Sequence, residues 1–185
     1  TAAGHDTHRA APALGPRAAG ASFSAWSAAA YLRGRRFDRE RMQRRTRRLA
    51  ALGERTVQAR LYGGLMGDGV RARAHAMEWF ASGDYDVLLT PALAGPPPAA
   101  EVWSTRGLRD NVAAAGRVAA YTALWGLIGF PAMVVPVGER GDGLPASVQL
   151  IAPPGRAGLL FDLAAHLTDL MRPRRYAPTL RPAGG

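Results

Sequence analysis

Apolar residues change their spacing near Asp84. Before it they recur every three or four positions; after it come short continuous apolar runs separated by turn residues. Phe23, Trp26, Ala30 and Tyr31 form the first helical stripe, preceded by an Ala-, Gly- and Pro-rich stretch (1–22) of no clear period. Asp38 is placed to cap a second helix carrying Met42, Leu49 and Leu52 that pauses near Gly53, and a helix continues with Val57 and Leu61 on one stripe. Asp68 should cap a third, Val70–Ser82, with Val70, Ala74, Met77 and Ala81 inward and Gly83 left-handed at its end.

Asp86–Thr90 reads as a strand covered on both faces, ended by Pro91, which has no N–H for a ladder. Arg106 to Leu127 reads as one long helix with a small-residue face (Val112, Gly116, Ala119, Ala120, Ala123), stopped by Gly129-Phe130-Pro131. Met133–Val137 and Ala146–Ala152 are two further strands. Gly141-Asp142-Gly143 between them can supply positive φ, so an antiparallel hairpin is expected, with Pro136 at an edge or bulge. Arg156 to Met171 forms an amphipathic helix with Leu159, Leu160, Leu163, Leu167 and Leu170 inward. The predicted class is therefore α/β: a mixed sheet flanked by helices in a single domain. Residues 1–83 are mainly helical, 84–171 hold the sheet and its covering helices, and 172–185 form an irregular tail.

Composition narrows the chemistry. A chain of 185 residues fits one domain, and no run of about 18 apolar residues suggests a membrane span. The N-terminus lacks the apolar core of a secretory signal, and cysteine is absent; both suit a cytoplasmic protein. His5 and His8 stand three apart without a third ligand at useful spacing, so no metal and no cofactor are expected. All 24 basic residues are Arg and none is Lys, and eleven of them lie between Arg33 and Arg60. A formal +10 attracts polyanions. Helical spacing nevertheless disperses Arg35, Arg39, Arg44, Arg47 and Arg48, and aromatic residues are not interleaved with them. A solvated helix, or one facing an acidic segment elsewhere, is favoured over a nucleic-acid groove. The lack of Lys excludes any Lys base, Schiff base or P-loop Lys within the chain.

Several motifs occur in a telling order: DVLLTP at Asp86–Pro91, Thr122 with Gly129 and Pro131, Val135-Pro136, then DGLPASVQL at Asp142–Leu150 followed by Pro153 and Gly155. Together they resemble the C-terminal part of the amidase-signature enzymes from about Asp84 to Leu170. Upstream the likeness is looser: Gly4-His5, Ala10–Pro12, and Arg48 with Gly53. One departure is Gly126, where that family often has Asn. Ala119 stands near the Asp with which the tRNA-transamidating branch grips glutamine, so that branch is disfavoured.

The resemblance implies the C-terminal portion of the amidase-signature fold, with an incomplete sheet. It implies hydrolysis of a small-molecule carboxamide by a Ser nucleophile, activated by a Lys through a second Ser in a cis peptide. A Gly/Ser-rich loop should supply oxyanion N–H donors. The chain has no such loop, and Ser22, Ser24, Ser27, Ser82, Ser104 and Ser147 sit in no activating context, so no catalytic residue is assigned. His75 and His166 have no neighbouring Ser or carboxylate in the pattern. The expected role is to shape the pocket for a missing N-terminal amidase portion or partner subunit, with no activity alone. Thr90, Pro91, Thr122, Trp125 and Ile128 are the expected substrate-side residues. The alternative is a non-catalytic interaction module binding RNA through the Arg-rich helix. A sheet lacking its remaining strands would also leave the isolated chain aggregation-prone or homodimeric.

Overall fold

The structure, a computed structural model, describes residues 4–173; most of the expected tail (174–185) lies outside the described residues. Three helices come first: α1 (Gly15–Gly34), α2 (Arg44–Gln58) and α3 (Leu61–Ser82). Strand β1 (Leu88–Pro91) follows, then a single 3-10 turn at Trp103–Thr105, and helices α4 (Leu108–Val118) and α5 (Ala123–Ile128). Strands β2 (Ala132–Glu139) and β3 (Pro145–Ile151) and helix α6 (Ala157–Met171) complete the order.

The sheet order is β1-β3-β2, and both neighbours run antiparallel to the central β3. Register assigns each side chain to a face, because neighbours in a strand alternate. Leu88, Ile151 and Ala132 share one row, and Thr90, Gln149 and Val134 the next row of that same face. Leu88 and Ile151 there meet Ala72, Ala76, Phe80, Trp125, Ile128 and Phe130 from the helices and the α5–β2 turn. The opposite face presents Leu150 and Val135, which α6 covers with Leu160, Leu163 and Leu167. The α/β reading stands, as a small sheet between a helical layer and one helix; among the described residues all its pairings are antiparallel, with no parallel pair of a mixed sheet.

The hairpin follows its turn chemistry. Gly143 takes φ +76, its N–H donates to the Arg140 carbonyl (2.9 Å), and the Asp142 carboxylate accepts from Leu144 N–H (3.2 Å). The register slips by one residue between Pro136 and Gly138, the bulge that the missing proline donor predicts. At the other stop, Gly129 is left-handed (φ +70) at the end of α5. Arg73 of α3 donates to the Ile128 and Gly129 carbonyls exposed there, and its guanidinium lies 5.7 Å from the Phe130 ring centre. One cation thus satisfies the orphan carbonyls of a helix end.

Several local expectations give way to tertiary packing. The α1 helix starts at Gly15, and its buried face is Ala18, Ala21, Ser27 and Ala28; Trp26 is half exposed. Asp38 accepts from Glu40 N–H (2.9 Å) in a local turn and does not cap α2, which begins later, after Gln43. Helix α2 passes through Gly53 unbroken; the chain reverses instead at Arg60, which is left-handed (φ +56). Asp68 lies inside α3, paired with Arg71 at 2.5 Å, and α3 buries Gly69, Ala72, Ala76 and Phe80 while Val70 and Met77 face solvent. The left-handed residue after α3 is Asp84, not Gly83. In α6, Leu170 is exposed. For the buried faces of α1 and α3 the reason is alanine. In helices so rich in Ala the apolar positions recur on every face, and packing picks the face where backbones approach closest.

Gly53 shows the closest approach. A Cβ there would collide with the Ser27 carbonyl of α1 and come within 2.8 Å of the Ala28 nitrogen. Gly53→Ala is expected to destabilise the fold by about 1–3 kcal/mol, the cost of overpacking against backbone that cannot yield. Urea denaturation measures it, with Gly63→Ala at an exposed position of α3 as the control for the helix-propensity gain of any Gly→Ala change.

Candidate functional site

Gln149 is the one strongly buried polar side chain on the sheet, at 3% exposure amid the apolar run Val148–Ala152. A lone amide there needs partners, since an unsatisfied buried polar group costs about 1–3 kcal/mol. It finds two. Its Nε2 donates to the Tyr121 carbonyl at 2.8 Å and to Thr90 Oγ1 at 3.3 Å, and Thr90 Oγ1 in turn donates to the Pro91 carbonyl at 3.1 Å. A carbonyl only accepts, so the atom facing Tyr121 must be the NH2, which fixes the orientation of the amide. The Oε1 accepts no hydrogen bond among the described residues.

This contact joins three segments. Thr90 and Pro91 end β1, Gln149 sits in the central strand, and Tyr121 lies where the expected long helix breaks. No Gly or Pro stands between Arg117 and Trp125 to break it. The chain tightens there instead, with Thr122 N–H and Oγ1 both donating to the Ala119 carbonyl (3.1 and 3.3 Å), and α5 sets off anew. The single helix from Arg106 to Leu127 is thus two helices, split where Gln149 holds the Tyr121 carbonyl.

The loop after Pro91 is anchored as well. Ala92 N–H donates to the Ser147 carbonyl (3.2 Å) and Ala94 N–H to the Val118 carbonyl (3.4 Å). Asn111 Nδ2 then gathers the Trp103, Arg106 and Gly107 carbonyls (3.1, 3.3 and 2.9 Å), while its Oδ1 accepts from Arg45 of α2 at 3.2 Å. Asn111 is a hub that sequence reading missed; nothing in LRDNVAA distinguishes it from a solvated helix position. Gln149 was legible only as part of a motif, although a Gln inside an apolar strand was the available signal.

Of the expected substrate-side residues, Thr90, Pro91 and Thr122 gather at this junction. Trp125 and Ile128 are buried in the core beneath it, at 5% and 4% exposure, with the Trp125 ring 5.5 Å from Phe130. They support the surface from below and do not line an open wall. Ser22, Ser24, Ser27 and Ser82 donate their hydroxyls to carbonyls three or four residues back in α1 and α3. His5 and His166 meet each other (3.3 Å between ring nitrogens), and His8 lies beside Tyr85. Among the described residues no three His, Asp or Glu side chains gather as a metal site, and no helix is long and apolar enough to cross a membrane.

Gln149→Leu removes both hydrogen bonds while keeping volume. It is expected to cost about 1–3 kcal/mol, and Thr90→Val less, because the Tyr121 carbonyl bond persists. Chemical denaturation with a Gln149→Leu/Thr90→Val double-mutant cycle checks the order.

The comparisons with known proteins agree with this architecture. The sequence profile described as Amidase matches residues 18–161. AmiA2 of Mycobacterium tuberculosis, named as an amidase, is 40% identical over 82 residues, which is 44% of this chain and 17% of that protein. AmiB2 of the same organism, also named as an amidase, is 34% identical over 128 residues, covering 69% of this chain and 27% of AmiB2. The chain thus spans less than a third of the length of these relatives. Among solved structures, 6-aminohexanoate cyclic dimer hydrolase superposes with a TM-score of 0.77 at 23% identity, over 92% of this chain and 38% of the hydrolase. A crystal structure of an amidase gives 0.70 at 18% identity, over 87% of this chain and 37% of that one. At such identities these two establish the fold alone. With the family profile covering well over half of its residues, the chain belongs to the amidase family.

Proposed function

We propose that this chain forms one wall of the acyl pocket of an amidase that hydrolyses the C–N bond of a small carboxamide. The Ser-cisSer-Lys unit would then be carried by polypeptide outside these 185 residues, either an N-terminal amidase portion or a partner subunit. The observation that carries the reading is the Gln149 junction. It fixes the end of β1, the loop after Pro91 and the break before α5 as one rigid surface, with an amide Oε1 left to accept an N–H. An amide substrate offers that donor. Thr90, Pro91 and Thr122 form the substrate side of this surface, and Trp125 and Ile128 brace it.

Two further observations support the division of labour. No Lys exists in the sequence to serve as the base of the family mechanism. The helical serines donate to their own helices, which leaves none of them poised beside a base. Half-exposed Leu89 and Val134, on the two outer strands, are suited to further polypeptide; in its absence they make the isolated chain dimeric or aggregation-prone. The absence of cysteine suits a reducing cytoplasm.

The test is complementation. The 185-residue chain alone, incubated with a panel of primary amides, should release no ammonia above buffer. The same chain fused to, or mixed with, an N-terminal amidase portion bearing the Ser-cisSer-Lys residues should turn over. The gain expected from restoring a nucleophile–base unit is on the order of 10⁶-fold. Turnover by the lone chain, or none in any combination that assembles, would overturn the proposal.

A further inference from the structure

Positive charge on this protein is concentrated in one place. Between Arg33 and Arg60 eleven arginines are set against only Asp38, Glu40 and Glu54, so eight of the ten excess charges belong to the stretch from the end of α1 through α2 to Arg60. There the chain leaves a cavity of about 380 Å³ lined by Tyr31, Phe37, Met42, Arg35, Arg39 and Arg47, with Glu54 the one carboxylate on its wall. The volume falls within the range of small-ligand sites.

Three arginines stand against that single carboxylate, so the lining carries a net positive charge. The Arg35 guanidinium makes no hydrogen bond or ion pair among the described residues, and Arg47 spends one donor on the Arg39 carbonyl (3.3 Å). Arg39 has only a long, exposed contact with Glu54 (3.5 Å), a pairing that contributes little in water. Guanidinium groups with free donors match the two-oxygen edge of a phosphate or carboxylate. Helix α2 begins beside them with no side-chain cap and no acidic residue in its first turn, so its N-terminal dipole also favours an anion. Phe37, two-thirds exposed, and Tyr31 offer apolar faces on the same cavity.

We propose that this cavity binds a small organic anion, a phosphate or carboxylate carried on an aromatic ring, with the oxyanion on Arg35 and Arg47 and the ring against Phe37 and Tyr31. The site shares no residue with the Gln149 junction and stands independently of the amidase reading. Sequence alone disperses these arginines around a helix; the turn between α1 and α2 brings the aromatic residues to them.

Titration calorimetry on the 185-residue chain tests it with phenyl phosphate, benzoate, inorganic phosphate and poly(U). Saturable one-to-one binding of phenyl phosphate or benzoate is expected, and the tighter of the two identifies the oxyanion. Phenyl phosphate should bind about three- to tenfold tighter than inorganic phosphate, the contribution of one aromatic contact. Phe37→Ala should abolish that preference. Arg35→Glu should weaken both aromatic anions at least about tenfold, since a favourable charge becomes a repulsive one. Arg117→Glu, the same charge change on α4, should leave binding unchanged, and circular dichroism confirms that each variant is folded. Absence of saturable binding, equal affinity for inorganic and phenyl phosphate, equal loss in Arg117→Glu, or binding of poly(U) alone would each overturn the proposal.

Discussion

A single primary amide, buried between the sheet and the helical layer, joins segments that lie 28 and 59 residues from it in the chain. Gln149 costs desolvation that only fixed partners can offset, so its burial demands that Tyr121 and Thr90 hold their places. The requirement propagates outward. Tyr121 fixes the break between α4 and α5, which aims the short α5 so that Trp125 and Ile128 reach Phe80 and Phe130. Thr90 fixes the end of β1, where the loop toward α4 departs and is gathered again by Asn111. The candidate surface is thereby a product of satisfying one polar group.

The two layers meet through different chemistry. On the helical side small residues let backbones approach: Ala18, Ala72 and Ala76 are essentially inaccessible, and Gly53 seats α2 against the Ser27 carbonyl. Aromatic rings then fill what the small residues leave, with Phe80 stacked on Phe130 at 5.8 Å and Trp79 edge-on to Phe80 at 5.0 Å. On the far side, α6 uses leucines against Leu150 and Val135, as a larger amphipathic stripe can. Arg73 ties the helical layer to the stop of α5, and Arg156, paired with Asp86 at 2.9 Å, ties the start of α6 to the approach of β1. The second pair is exposed and orients more than it stabilises.

The legible parts of this fold and site share a trait. Gly143 in the hairpin turn, the bulge after Pro136, the end of β1 at Pro91 and the left-handed Gly129 each express a restriction on one residue's own backbone. Strand positions were readable because apolar runs between such stops have few alternatives. The inward face of α3, by contrast, was misread, since Ala74 and Ala81 look as apolar as Ala72 and Ala76. Of the candidate site, Thr90, Pro91 and Thr122 were singled out through an ordered set of motifs, whereas Asn111 was invisible. Trp125 and Ile128 were grouped with them, yet their burial was not readable. An apolar residue beside a pocket and one beneath it have the same sequence pattern.

The amino-acid order by itself determined the α/β class, the number and positions of the strands, the turns that need glycine and the absence of a Lys base, because these depend on each residue's own dihedral limits and functional groups. Only the tertiary structure decided where the long helix breaks, which face of each alanine-rich helix is buried, and that Phe37 and Tyr31 stand with Arg35 and Arg47. Those outcomes depend on which backbone comes close enough to claim a carbonyl or exclude a Cβ, and that proximity exists only once the chain has closed on itself.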